Sequence, residues 1–116
     1  MKALSKKYSV GFRVWINEDK GHFMGLGRVR LLENIKQTGS ITKGAAAMKM
    51  SYRQAWQMVQ DMNERAEQPL VEKILGGKGG GGALVTEAGE RAITLYYQLE
   101  EKIMKLSKEL SEKIKL

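Results

Sequence analysis

Residues 40–65, SITKGAAAMKMSYRQAWQMVQDMNER, constrain this chain more than any other stretch. Ser40 and Ser51 each stand just before a helical apolar pattern, where a serine hydroxyl can accept a hydrogen bond from an orphan first-turn N–H. Ile41, Ala45 and Met48 recur at helical spacing, with Ala46 and Ala47 small enough for a second helix to cross closely. Gln54 completes a Ser-x-x-Gln capping box with Ser51. Tyr52, Ala55, Trp56, Val59 and Met62 then form one apolar stripe, opposite a face of Arg53, Gln54, Gln57 and Gln60. Two short helices joined by a tight turn are expected over about residues 40–66.

A capped helix with an Arg/Gln face, set after a short helix and a brief turn, fits a helix-turn-helix whose second helix enters the DNA major groove N-terminus first. Arg can bridge guanine O6 and N7, and Gln can bridge adenine N6 and N7. The same pattern also fits an ordinary amphipathic helical hairpin with a solvated polar face. The flanking segments weigh between the two.

At 116 residues the chain is expected to be a single domain, 1–116, mainly α with small β-hairpins. Val10, Phe12, Val14 and Ile16 alternate with polar or small neighbours, so Ser9–Asn17 reads as a strand. With the turn Glu18–Gly21 and a return through His22-Phe23-Met24, it gives an N-terminal hairpin at about 8–25. A supporting helix follows from Arg28 to Thr38, stopped by Gly39. Pro69 ends the helical region, and two strands flanking GGKGGGG make a hairpin wing at about 70–85. Thr86 caps a long helix at about 86–115, on which Ala92, Tyr96, Leu99, Ile103, Leu106 and Leu110 keep an a/d spacing. In so small a chain, the partner expected for that seam is a second copy, giving a homodimer.

Chemistry is sparse. Without cysteine, disulfides, thiolate metal sites and Cys nucleophiles are excluded. His22 is the one histidine and has no clustered carboxylate, so no catalytic residue, metal ligand or cofactor is assigned and no enzyme is expected. The glycine run fails as a P-loop, because Glu72 stands where its first Gly belongs and Gly79 where Ser or Thr should ligate magnesium. A wing tip whose Lys78 touches phosphate suits it better. The formal charge of +7 points to a polyanionic partner. No apolar run approaches the ~18 residues of a membrane span, and no signal peptide opens the chain, so a cytoplasmic location and no membrane partner are expected.

The blocks GRVRLLENIKQTGSIT, MSYRQAWQMVQDMN and EQPLVEKILGGKGGGGALVTEAGE, in this order, resemble the DNA-binding domain of the ModE molybdate-responsive regulators. That resemblance covers roughly residues 10–100. It implies a LysR-type winged helix-turn-helix with a long C-terminal dimerisation helix. The implied protein is a transcriptional regulator that binds duplex DNA as a homodimer, on a palindrome with half-sites ~34 Å or a multiple apart. Carried over by position, Ser51, Tyr52, Arg53, Gln54 and Gln57 lie on the recognition helix, Thr42 and Lys43 on the helix before it, and Lys73 and Lys78 in the wing. Two departures stand out. The family's regulators continue into two small molybdate-binding barrels that these 116 residues do not contain, so a stand-alone member or a separate effector-sensing partner is expected. Lys49 occupies an inter-helix turn position where members often have Gly. The competing reading is a protein-interaction or dimerisation module that keeps this fold without specific DNA binding.

Overall fold

The computed structural model describes residues 6–75 and 82–116. In chain order it contains strands β1 (Trp15–Glu18) and β2 (Gly21–Gly25), and helices α1 (Leu26–Thr38), α2 (Ile41–Ala47) and α3 (Tyr52–Arg65). Strands β3 (Val71–Ile74) and β4 (Gly82–Val85) and helix α4 (Glu87–Ser111) complete it. The two hairpins are separate antiparallel sheets, with β1 paired to β2 and β3 to β4. A mainly helical winged helix-turn-helix results, as the sequence pattern predicts.

Each helix boundary has a local cause. Gly39 ends α1 in the left-handed region at φ 71°, and its N–H bonds the Ile35 carbonyl at 2.7 Å. The Oγ atoms of Ser40, Ser51 and Thr86 accept from the N–H groups of Lys43, Gln54 and Gly89, each at 3.1 Å. Helix α2 closes in a Schellman motif, where Met50 N–H reaches the Ala45 carbonyl and Lys49 N–H the Ala46 carbonyl, both at 3.1 Å. Lys49 itself sits at φ 56°, the conformation that favours glycine.

The core lies where α1, α2 and α3 meet the wing and α4. Met24, Val29, Leu31, Leu32, Ile35, Ala55, Met62 and Tyr96 are almost fully buried there. An ionic cluster closes one side. Asp61 on α3 pairs with Arg28 on α1 at 2.7 Å and with Arg65 at 3.0 Å, and Arg65 reaches Glu18 of the first hairpin at 2.6 Å. Burial pushes the Asp61 carboxyl up, but hydrogen bonds from Arg65 and Arg28 outweigh it and hold the group below the usual carboxylate range. Beside them His22 is held below its ordinary value, first by burial and then by Arg28 and Arg65. On the opposite side, Tyr97 of α4 donates to Glu33 of α1 at 2.7 Å, and this bond, with burial, pushes the phenol up to about 12.

The wing root is fixed by two polar side chains. The Asn63 side chain on α3 accepts from Leu70 N–H at 2.8 Å and Val71 N–H at 3.3 Å, and donates to the Val71 carbonyl at 3.0 Å. The Thr86 hydroxyl donates to the Pro69 carbonyl at 2.6 Å. Gly89 is pressed so closely on the Leu70 carbonyl and Val85 that a β-carbon has no room.

Three expectations are corrected. The first strand begins at Trp15, not Ser9, because β2 ends at Gly25 where α1 starts, leaving nothing for residues 8–14 to pair with. These residues instead run along α4. Val10 N–H donates to Ser111 Oγ at 2.8 Å, the Val10 carbonyl accepts from Ser107 Oγ at 2.7 Å, and the Val14 carbonyl accepts from the Tyr96 hydroxyl at 3.0 Å. Tyr96, predicted on the helix seam, is thereby held inside its own chain at 1% exposure. The third correction concerns α3, where Ala55, Val59 and Met62 are buried but Tyr52 and Trp56 are 46% and 37% exposed.

Two substitutions test these local causes by urea denaturation. Lys49→Gly relieves the left-handed strain, roughly 1–2 kcal/mol, and loses part of that to unfolded-chain entropy, so it should stabilise by about 0.5–1 kcal/mol. Asn63→Ala leaves the Leu70 and Val71 backbone groups without their partner and should destabilise by about 1–3 kcal/mol.

Candidate nucleic-acid interface

The recognition helix α3 presents its first two turns outward. Ser51, Tyr52, Arg53, Gln54 and Gln57 are all exposed. Because Ser51 satisfies the Gln54 N–H, the helix start is fixed without help from a ligand. Thr42 and Lys43 occupy the first turn of α2 and are exposed as well.

The wing comes close to this end of the pair. A cleft of about 260 Å³ between them is lined by Thr42 from α2, Tyr52 from α3, and Lys73 and Ile74 from β3. Ala83 N–H bonds the Gly39 carbonyl at 2.9 Å, tying β4 to the α1–α2 junction. The structure thus brings Thr42, Tyr52 and Lys73 together around one cleft. Lys43, Arg53, Gln54 and Gln57 stand outside its lining. Lys78 lies outside the described residues.

Three cations are held in ion pairs away from this face. Arg28, Arg65 and Lys36 are engaged with Asp61, Glu18 and Glu90. Among the described residues, Lys43, Arg53 and Lys73 form no ion pair. Cations that neutralise no carboxylate of their own chain keep their full attraction for phosphate. Chemically the arrangement offers two bidentate readers of purine edges, amide and guanidinium, framed by point charges and hydroxyls suited to the DNA backbone.

Two residues of this region escaped the sequence reading. Trp56 fits the apolar stripe by spacing, but it is 37% exposed while its neighbour Ala55 is fully buried. Asn63 drew no attention; a short amide seven residues before the first wing strand residues it bonds gives no pattern signal.

No group of three or more His, Cys, Asp or Glu among the described residues is placed to hold a metal ion. No helix there is long and apolar enough to cross a membrane.

Comparison with known proteins agrees with the geometry. Residues 26–90 match the family model described as bacterial regulatory helix-turn-helix protein, lysR family, a span running from α1 into the start of α4. The transcriptional regulator ModE of Yersinia pestis is 52% identical over 69 residues, 60% of this chain and 26% of that protein. The DNA-binding transcriptional dual regulator ModE of Escherichia coli K12 is 48% identical over the same share of each chain. The molybdenum transport protein ModE of Azotobacter vinelandii is 36% identical over 102 residues, 88% of this chain and 38% of that protein. The chain therefore spans between a quarter and two-fifths of the length of these relatives. With its capped recognition helix, wing and supporting helix all inside the matched span, the chain belongs to the lysR family of bacterial regulatory helix-turn-helix proteins.

Proposed function

We propose that this chain reads a palindromic DNA operator as a homodimer and regulates transcription in the cytoplasm, in molybdenum-related metabolism. The observation that carries the proposal is the outward face of α3, where Arg53, Gln54 and Gln57 lie exposed at a capped N-terminus, near Lys43 and Lys73, which form no ion pair among the described residues. Arg53 is the main base reader, Gln54 and Gln57 are secondary, and Thr42, Lys43, Ser51 and Lys73 hold the phosphate backbone. The molybdenum context rests on the names of the relatives.

Support for the dimer comes from α4. With Tyr96 committed to the interior and Ala92 half-buried, the exposed apolar stripe is Leu95, Ile103, Leu106 and Leu110, at 38–52% exposure, with Leu99 half-buried between them. The radius of gyration is 18.7 Å, against about 13 Å for a compact chain of ~100 residues, so the molecule is far from spherical. Helix α4, with 25 residues, is the longest element among the described residues, and a second copy of the same stripe is the partner that would cover these side chains.

Anisotropy titrations at two salt concentrations, on a ModE-type palindrome and on random duplex, test the reading. Preference of ~10³-fold or more for the palindrome is expected; equal affinity that collapses with salt would leave only charge-driven binding. Arg53→Ala should lose ~1–3 kcal/mol of discrimination, whereas Lys73→Ala should weaken every sequence alike and lower the salt slope by about 1. Leu106→Asp puts a carboxylate in the stripe. It should sediment as a monomer and lose the palindrome's advantage over a single half-site, and a Leu106→Asp protein that still sediments as a dimer would remove α4 as the interface.

A further inference from the structure

The exposed aromatics on α3 call for a partner. Tyr52 and Trp56 are 46% and 37% exposed, while Ala55, Val59 and Met62 on the same helix are 2% or less. Each ring keeps a third to a half of its surface in water, apolar area open to a partner. Neither belongs to the α4 stripe, so pairing of two copies through that stripe leaves them uncovered.

Their position is defined by the wing. Tyr52, Trp56 and Asn63 follow one another at spacings of four and seven, so they share one edge of α3. Asn63 bonds the wing backbone, and Tyr52 lines the cleft with Lys73 and Ile74, so this edge faces the wing. Each ring is followed directly by a polar reader, Arg53 after Tyr52 and Gln57 after Trp56. The first two turns therefore carry an aromatic edge beside a hydrogen-bonding face.

The floor of the major groove offers hydrogen-bonding groups at every base pair but only one apolar group, the C5-methyl of thymine. A helix that enters by its first turns with an aromatic edge exposed meets that methyl with the matching chemistry. We propose that Tyr52 and Trp56 read thymine in the operator by packing against its C5-methyl, while Arg53 and Gln57 read neighbouring purines. This rests on the DNA-reading function above and adds a base preference that the polar side chains alone do not specify.

Replacing thymine by deoxyuridine removes the methyl and keeps the hydrogen-bonding edge. The test is to recover preferred duplexes from a randomised library with the full chain, then replace thymines by deoxyuridine one position at a time and measure anisotropy. Wild-type protein should bind about fourfold more weakly for each contacted methyl removed. Trp56→Ala should lose the difference at its own position, and Tyr52→Phe, which keeps the ring, should retain it. Equal wild-type affinity for thymine and deoxyuridine at every position overturns the proposal without reliance on any variant. Trp56→Ala that weakens binding while keeping the full methyl dependence would instead place its ring against the sugar-phosphate backbone. Recovery of no preferred sequence would sink the DNA-reading function itself, and this inference with it.

Discussion

The geometry of the reading face depends on one amide. Asn63 sits near the C-terminal end of α3 and clasps Leu70 and Val71 by both their N–H groups and one carbonyl. An amide with a donor and an acceptor can complete a backbone strand in this way, which neither a carboxylate nor a lysine can do. The wing is only two short strands, and an isolated hairpin of this size has marginal stability. Its position relative to α3 therefore comes from its root. Thr86, Gly89 and the Ala83–Gly39 bond fix the other side of that root, to α4 and to the α1–α2 junction. Held from both sides, Lys73 stays beside Tyr52 and Thr42, and the cleft between wing and recognition helix keeps its width.

Electrostatics divide the molecule the same way. The Arg28–Asp61–Arg65–Glu18 cluster joins α1, α3 and the first hairpin on the side away from the wing. Its value is positional, because partly exposed pairs contribute little stability each. It holds α3 by its inner flank and keeps two arginines off the reading face. Lys43, Arg53 and Lys73 are among the cations that form no ion pair among the described residues, and the net charge of +7 attracts a polyanion.

The local grammar of this fold is legible in the sequence. Ser40, Ser51, Thr86 and Gly39 each act within four residues, and each does in the structure what its type implies. Lys49 was legible as a departure, and its φ of 56° at the glycine position of the Schellman motif gives that departure a location. What could not be read depends on partners distant in the chain. Val10 alternates like a strand residue, but its backbone is satisfied by Ser107 and Ser111 about a hundred positions away, and no periodicity encodes that. Tyr96 fits the seam by spacing and was claimed by the Val14 carbonyl. Tyr52 and Trp56 fit the apolar stripe of α3, but the stripe buries only the width that α2, β2 and the core cover.

The N-terminal arm is bonded to α4 of its own chain, and in the proposed dimer the two together would set how the reading faces are spaced. Helix α4 begins at the wing root, where Thr86 and Gly89 lock it, and runs 25 residues, ~37 Å, to Ser111. A rise of that length carries the exposed stripe well away from the root, so a small rotation where two stripes meet becomes a larger displacement at α3. The serine clasp on Val10 lays the arm along the outer half of the helix, beside Ile103, Leu106 and Leu110, and so bounds the stripe on one side. A stripe bounded in this way admits a partner from fewer directions than a bare helix does. In the proposed dimer, the rigid wing root and the restrained arm would thus serve one end: they would leave the spacing of two recognition helices to a single contact surface on α4.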